Sequence, residues 1–203
     1  MSRWVILSAT ADLSATVDAE AQLAADAAVA VATPGVTHCS AGLDLPGSTG
    51  GQGALWDLTT DSAPATVLPG LPAHADVVPL APVHARVVRL DSARRIKRTL
   101  LLTVRHDTPP ETVSRFESDL MAMPAHISAI KSWSLSRVPG HPRWTHVWEQ
   151  EFADPDGLNG DYLLHPYHWT HVDRWFDAEI PGAIVAPAIA HLYRWADGPV
   201  LGN

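Results

Sequence analysis

One stretch decides the fold: residues 144–152, WTHVWEQEF, which have the alternation of a β-strand. Successive side chains of a strand point to opposite faces. One face therefore carries Trp144, His146, Trp148 and Gln150, and the other carries Thr145, Val147, Glu149 and Glu151. We predict that the tryptophan-bearing face points inward and that the two glutamates lie on a solvated face.

A similar strand occurs in the first half of the chain. Leu55-Trp56-Asp57 stands where Val147-Trp148-Glu149 stands in the second half, so the period is roughly 92 to 95 residues, as expected for two copies of one supersecondary unit. Strand, helix and turn signals follow the order β-α-β-β-α-β in both halves, with a linker at residues 91–96. The expected boundary divides the chain into residues 1–92 and 93–203.

This order predicts an α+β protein built from tandem ferredoxin-like halves. A four-stranded antiparallel sheet with both helices on one face leaves its other face apolar, and that face must be buried. Two halves in one chain can bury these faces against each other. We therefore expect an intramolecular dimeric α+β barrel, a pseudo-dimer within one chain, with a further homodimer left open.

Composition and charge narrow the function classes. The 203 residues carry a formal net charge of -8, which argues against a nucleic-acid partner because phosphates favour a basic face. The basic group formed by Arg94, Arg95, Lys97 and Arg98 is interpreted as a solvated entrance to a strand. The single cysteine suits a reducing compartment, and the longest apolar run, residues 24–33, is too short to span a bilayer. We expect a cytoplasmic protein without a membrane partner.

Two local motifs stand in the second half. The first is Trp144-Thr145-His146, with a T-H pair on the third strand of that half. The second, about twenty residues later, is Tyr162-Leu163-Leu164-His165-Pro166-Tyr167-His168, which contains H-P-x-H. In both motifs and in strand order this half resembles the stress-responsive A/B barrel family, called Dabb, and its olivetolic acid cyclase-type members. The first half matches in strand order alone, with Gly53-Ala54 in place of T-H, and is interpreted as a degenerate Dabb-like half.

The resemblance implies roles for particular residues. In the cyclase-type pattern Y-x-x-H-P-x-H, the first and last letters form an acid/base pair, which here implies Tyr162 and His168 as catalytic residues. The histidine of the T-H pair implies His146 as a third. A further family histidine on the first strand is matched by Arg98, so that part of the site is changed. The expected substrate-binding residues are His165, Arg98, Trp144, Trp148 and Trp169.

The residues of the second motif also predict a site without the resemblance. Pro166 suits the first turn of a helix with His165 as its cap. Val172, Trp175 and Phe176 follow His168 at helical spacing, which turns that histidine inward. A neutral histidine beside a tyrosine hydroxyl can exchange a proton near pH 7. The alternative is a core histidine with a satisfied hydrogen bond.

A metal site is the less favoured interpretation of the histidines. His165, His168 and His171 are spaced by three residues, which spreads their side chains around a helix instead of directing them to one ion. We therefore expect no metal and no cofactor. The favoured function is a small cofactor-independent enzyme of cyclase, isomerase or lyase type, which acts on a hydrophobic carbonyl or aromatic small molecule. The alternatives are a non-catalytic stress-responsive or ligand-binding barrel and a structural assembly module.

Overall fold

Eight β-strands and three α-helices provide the regular framework of this computed structural model, which describes residues 1–9, 16–88, 90 and 94–201. The strands are β1 (Ser2–Ala9), β2 (Val36–Leu43), β3 (Gly53–Thr60), β4 (Asp76–Arg86), β5 (Arg94–Leu102), β6 (Ser132–Arg137), β7 (His146–Phe152) and β8 (Ala190–Asp197). The helices are α1 (Thr16–Val31), α2 (Pro64–Val67) and α3 (Pro110–His126).

All strand pairs are antiparallel, and they form one sheet in the order β2-β3-β1-β4-β6-β7-β5-β8. The two outer strands approach each other across a seam. There the amide of Leu45 donates to the carbonyl of Tyr193 at 2.8 Å, and Thr49 forms an antiparallel bridge with His191. The protein is therefore a mixed α+β fold with a nearly closed, barrel-like sheet.

Strand β4 joins the two parts of the sheet and differs from the prediction. In the sequence, residues 61–82 are rich in Pro and Ala and predict at most a short helix, and residues 83–90 predict a strand, but the strand begins at Asp76. Residues 76–80 pair with β1, and residues 81–86 pair with β6. Each part of β4 has a neighbour on one side only, and proline is tolerated in strands with one open edge, which accommodates Pro79 and Pro82.

Strand β5 also begins earlier than expected. The sequence predicted a linker at residues 91–96, whereas β5 begins at Arg94. The predicted boundary between residues 92 and 93 lies outside the described residues. In the part of the chain that the structure describes, no helix is long and apolar enough to cross a membrane.

Helix α3 covers the outer face of the second half of the sheet. Its inward stripe of Phe116, Leu120 and Met123 is fully buried, as the helical spacing predicted. Each such side chain contributes roughly 1.5–3 kcal/mol by leaving water. The stripe packs against Trp148 and Leu135. Trp148 therefore faces the helix layer, not the barrel interior.

The barrel interior receives the opposite face of β7, so the expected solvation of Glu149 and Glu151 is wrong. Both side chains are fully buried. Inside the barrel, Lys97 Nζ lies 2.7 Å from Glu149 Oε1 and 2.5 Å from Asp57 Oδ1. Arg95 reaches Glu151 at 3.3 Å. In a closed barrel covered by helices, both faces of a strand are buried, and the acidic residues are matched by basic ones.

The basic group of β5 is corrected for the same reason. Arg94 is exposed, but Arg95, Lys97 and Arg98 are each at most 3% exposed. Alternation along β5 sends Arg95 and Lys97 into the barrel and Arg98 to the face that meets the helix layer. This group is thus part of two buried environments, not a solvated entrance to a strand.

Candidate active site

The segment between β7 and β8 carries the aromatic pair that the sequence singled out. It is built from a π-helical turn at Gly157–Tyr162, a second at His168–Val172 and a 3-10 turn at Asp173–Trp175. We call residues 157–175 the cover segment, because it lies over the helix-side face of the sheet. Irregular helical turns of this kind occur often at functional sites.

Tyr162 and His168 come together on the inner side of the cover segment. Their ring centroids are 4.9 Å apart at an interplanar angle of 75°. Tyr162 also packs edge-on against Phe152 of β7, at 5.3 Å. Burial raises the pKa of Tyr162 to about 12, so its hydroxyl stays protonated at neutral pH. This hydroxyl makes no hydrogen bond to any described residue.

His165 and Pro166 set the direction of the helical turn that carries His168. The amide of Tyr167 donates to His165 Nδ1 at 3.1 Å, which is the predicted cap. His168 Nδ1 is buried without an aligned hydrogen-bond partner. The nearest carboxylate oxygen is Oδ1 of the half-exposed Asp173, at 3.3 Å. His165 thus shapes the turn but lies at its outer end, whereas His168 faces the sheet.

Arg98 lies beneath Tyr162 on strand β5. Its guanidinium carbon is 5.0 Å from the centroid of the tyrosine ring, a cation–π contact. Its Nε donates to His191 Nε2 at 2.7 Å, and its Nη1 donates to Gln150 Oε1 at 2.7 Å. Strand register explains these contacts, because Arg98 stands directly between Gln150 on β7 and Tyr193 on β8.

His191 and Tyr193 complete the site and were not predicted from the sequence. The Tyr193 hydroxyl is 2.8 Å from His191 Nε2. Burial and the charges of Arg98 and His168 lower the pKa of His191 to about 2, so the ring is neutral and accepts a hydrogen bond from Arg98. The available signal was their separation of two residues, which puts both on one face of the last strand.

His146 belongs to a different cluster. Its Nε2 is 3.2 Å from Glu117 of α3, and its Nδ1 is 2.9 Å from the Thr145 hydroxyl. Glu117 in turn accepts two hydrogen bonds from Arg137. His146 precedes Gln150 by four residues on β7, about 13 Å along a strand. The T-H histidine therefore ties the sheet to α3 and does not contact the Tyr162–His168 pair.

The three tryptophans expected to bind substrate occupy three environments. Trp148 is fully buried beside Trp133, at 5.4 Å, and is a close neighbour of Gln150. Trp144 precedes β7 and packs in the barrel interior, with its Nε1 donating to Asp76 at 2.7 Å. Trp144 therefore does not lie on the same face of the sheet as His146 and Trp148, although the alternation had predicted that it would. Trp169 is 54% exposed and lies outside the site.

The first half lacks the polar residues of this site. Trp56 and Ile6 pair in β3 and β1 as Trp148 and Leu100 pair in β7 and β5. Arg98 pairs with Gln150 on one side and Tyr193 on the other. The equivalent residue of β1 is Trp4, which pairs with Leu58 and Pro79. Apolar residues thus replace every polar member that the sheet contributes.

The first half instead contains a cavity of about 300 Å³ between α1, β3 and residues 67–72. Helix α1 turns Leu23, Ala27 and Ala30 toward the sheet, whereas α3 uses larger side chains. The cavity is lined by apolar groups with Ser8, Gln22 and Asp26 as its polar members. Among the described residues, no three His, Cys, Asp or Glu side chains converge as a metal-ligand set.

Comparisons with known proteins agree with this architecture. Residues 96–186 match the model of the stress responsive A/B barrel domain, Dabb. No curated protein matches the chain in sequence.

Several solved structures are similar to nearly the whole chain. An anthrone oxidase-like protein has a TM-score of 0.60 at 8% identity, covering 100% of this chain and 93% of its own. A proposed monooxygenase from Lactobacillus acidophilus NCFM has a TM-score of 0.60 at 9% identity, covering 94% and 92%. Another from Fusobacterium nucleatum has 0.59 at 9% identity, covering 98% and 95%. At such identities the likeness is one of fold alone.

Proposed function

Because residues 96–186 of this chain are a stress responsive A/B barrel (Dabb) domain, we propose that the protein is a small cofactor-independent enzyme that uses Tyr162 and His168 for acid/base chemistry. Its substrate is a hydrophobic small molecule with a carbonyl group or an aromatic ring. The observation that carries the proposal is the contact of the two rings, 4.9 Å apart. The resemblance to cyclase-type members supports the same two residues.

The proposed chemistry is proton transfer beside a carbonyl group. His168, when neutral, removes a proton from the carbon next to the carbonyl. The electron pair of that C–H bond forms a carbon–carbon double bond, and the π pair of the carbonyl moves to its oxygen. The protonated hydroxyl of Tyr162 donates a hydrogen bond to this oxygen as it becomes negative. Return of the proton to a different atom gives isomerisation, and bond formation or cleavage from the same enolate gives cyclase or lyase chemistry.

Arg98 changes the site relative to the cyclase-type pattern. Where the family pattern has a histidine, this chain has a guanidinium, which keeps its proton at any working pH and cannot serve as a base. Its place beneath Tyr162 favours a role in binding. A third catalytic role for His146 stays a prediction, and its contacts with Glu117 support a positioning role.

The site is closed, and this bears on how a substrate reaches it. Tyr162, Gln150 and Arg98 are at most 3% exposed. Substrate access therefore requires the cover segment to move, and its π-helical and 3-10 turns are weaker than a continuous α-helix. A closed site shields an enolate from water, which favours an enzyme over the alternative of a non-catalytic ligand-binding barrel.

We further propose that the chain is a fused pseudo-dimer of tandem ferredoxin-like halves, residues 1–92 and 93–203. The strand order β2-β3-β1-β4 has the same form as β6-β7-β5-β8, which supports the proposal. The first half then serves as the structural partner and the second half carries the site. A cytoplasmic location and a further homodimer are also part of the proposal.

Deuterium exchange into simple ketones tests the proposed proton transfer without knowledge of the physiological substrate. Aromatic 1,3-diketones and aryl ketones are incubated with the protein in D₂O, and loss of the α-proton signal is followed by NMR. The wild type should accelerate exchange, and His168→Gln should slow it by roughly 100- to 10,000-fold. The exposed Trp169→Ala is the matched control and should exchange normally. Binding without exchange in the wild type would favour the ligand-binding alternative.

A further inference from the structure

Arg98 is a buried cation without an anionic partner. Its guanidinium contacts are His191, Gln150 and the ring of Tyr162, none of which is a carboxylate. Among the described residues, no Asp or Glu forms an ion pair with the Arg98 guanidinium. A buried charge normally has an opposite charge or a full set of hydrogen bonds. Arg98 therefore differs from Arg95 and Lys97 inside the barrel, each of which contacts a carboxylate.

The neighbours of Arg98 cannot supply the missing negative charge. Burial raises the pKa of Tyr162 to about 12 and lowers that of His191 to about 2, so both side chains are neutral at pH 7. Glu149 and Glu151 flank Gln150 on β7, but they point into the barrel toward Lys97 and Arg95. The sheet thus separates the nearest strand carboxylates from Arg98.

Unused hydrogen-bond donors surround the same point. Gln150 turns its oxygen to Arg98, and its amide nitrogen Nε2 is buried without a partner. The indole nitrogens of Trp133, the cross-strand partner of Gln150, and of Trp148, two residues before it on β7, are buried and unpaired as well. Buried donors are seldom left unpaired, so the site lacks an acceptor.

We propose that this site takes an organic anion, an aromatic molecule whose carboxylate lies against Arg98 beneath the cover segment. The carboxylate supplies both the missing charge and the missing acceptor oxygens, and a guanidinium matches its planar geometry. This deepens the proposed function by giving the charge class of the substrate. It rests on the proposed location of the site, but it concerns binding and not turnover.

Binding of a matched pair of ligands tests the proposal. 2-Naphthoate and the uncharged 2-naphthamide have the same shape and differ in charge, and quenching of tryptophan fluorescence at low ionic strength reports both. The wild type should bind naphthoate about 10- to 150-fold more tightly, the range for hydrogen bonds to charged groups. Arg98→Met should abolish this preference and leave naphthamide binding unchanged. Arg143→Met, an exposed arginine elsewhere, should retain it.

Three further results separate the possible outcomes. Without ligand, Arg98→Met removes an unpaired buried charge but leaves Gln150 Oε1 and His191 Nε2 without the donor they have in the wild type. These effects oppose each other, so the free energy of unfolding should change little, and a large loss would indicate a structural role and contradict the proposal. Gln150→Met should weaken naphthoate and not naphthamide. His168→Gln should keep the preference for naphthoate even though it stops deuterium exchange, so failure of catalysis and failure of anion binding are distinguishable. Equal binding of the two ligands by the wild type would overturn the proposal.

Discussion

Replacing Asp57 by asparagine tests the charge network that joins the two halves of the barrel. Asp57 belongs to β3 in the first half and contacts two basic residues of the second half, Lys97 at 2.5 Å and Arg194 at 2.7 Å. Burial alone would raise the pKa of Asp57, but the charges of Lys97 and Arg194 outweigh it and hold the pKa well below its usual range. The carboxylate is therefore ionised and paired.

The structure sets the expected magnitude. Asp57→Asn leaves Lys97 and Arg3 with Glu149 as their remaining close carboxylate, and it leaves Arg194 without the carboxylate that it contacts. Removal of one partner from a buried ion pair costs about 3–5 kcal/mol. Lys97→Met should cost less, about 0–2 kcal/mol, because Asp57 keeps Arg194 and Glu149 keeps Arg3. Against a total stability of about 5–15 kcal/mol, the first loss is large.

Urea unfolding followed by tryptophan fluorescence measures both free energies of unfolding. The control is Asp197→Asn, which removes an exposed ion pair with Arg94 at 3.8 Å and should have no measurable effect. The wild type should unfold in one transition, since the network crosses between the halves. If Asp57→Asn lowers the free energy of unfolding by no more than Lys97→Met does, then loss of a carboxylate is not more damaging to this network than loss of a basic group, and the reasoning is wrong.

Three other predictions follow from the site and the barrel. His168→Ala should fold and lose deuterium-exchange activity by roughly 100- to 10,000-fold, with Tyr162→Phe losing less; unfolding of His168→Ala, seen as a lower Tm, would instead support a core histidine. In the folded protein the pKa of His191 is lowered to about 2, so below about pH 6.5 only the unfolded chain binds a proton at this histidine. The free energy of unfolding should therefore fall by up to about 2 kcal/mol between pH 6.5 and 5. His191→Gln should remove this part of the pH dependence. A fragment of residues 95–203 should aggregate or dimerise in gel filtration, since its sheet face is bare, and a stable monomer would contradict the pseudo-dimer.

The sequence predicted most elements and the class of fold because alternation and helical spacing are local signals. The stripe of α3 follows from the spacing of Phe116, Leu120 and Met123 alone. The start of β4 was missed because Pro79 normally argues against a strand, and only the change of pairing partner makes it tolerable. Glu149 was assigned to solvent because its partners, Lys97 and Asp57, are brought to it by tertiary structure.

The candidate site was predictable in part for a similar reason. Tyr162 and His168 belong to one motif, and the structure brings their rings into contact. His191 lies on a strand distant in sequence, and nothing local marks it as a partner of Arg98. The misplacement of Trp144 has a different cause, since this residue precedes the regular strand and the alternation does not extend to it.

A crystal structure of the protein with a bound aryl ketone tests the central claim most directly, because two places compete for the ligand. We expect one ligand per chain, beneath the cover segment, with its carbonyl oxygen within hydrogen-bond distance of the Tyr162 hydroxyl and its α-carbon next to His168. Binding in the first-half cavity beside Trp56, with the pocket at Tyr162 and His168 still closed, would contradict the account.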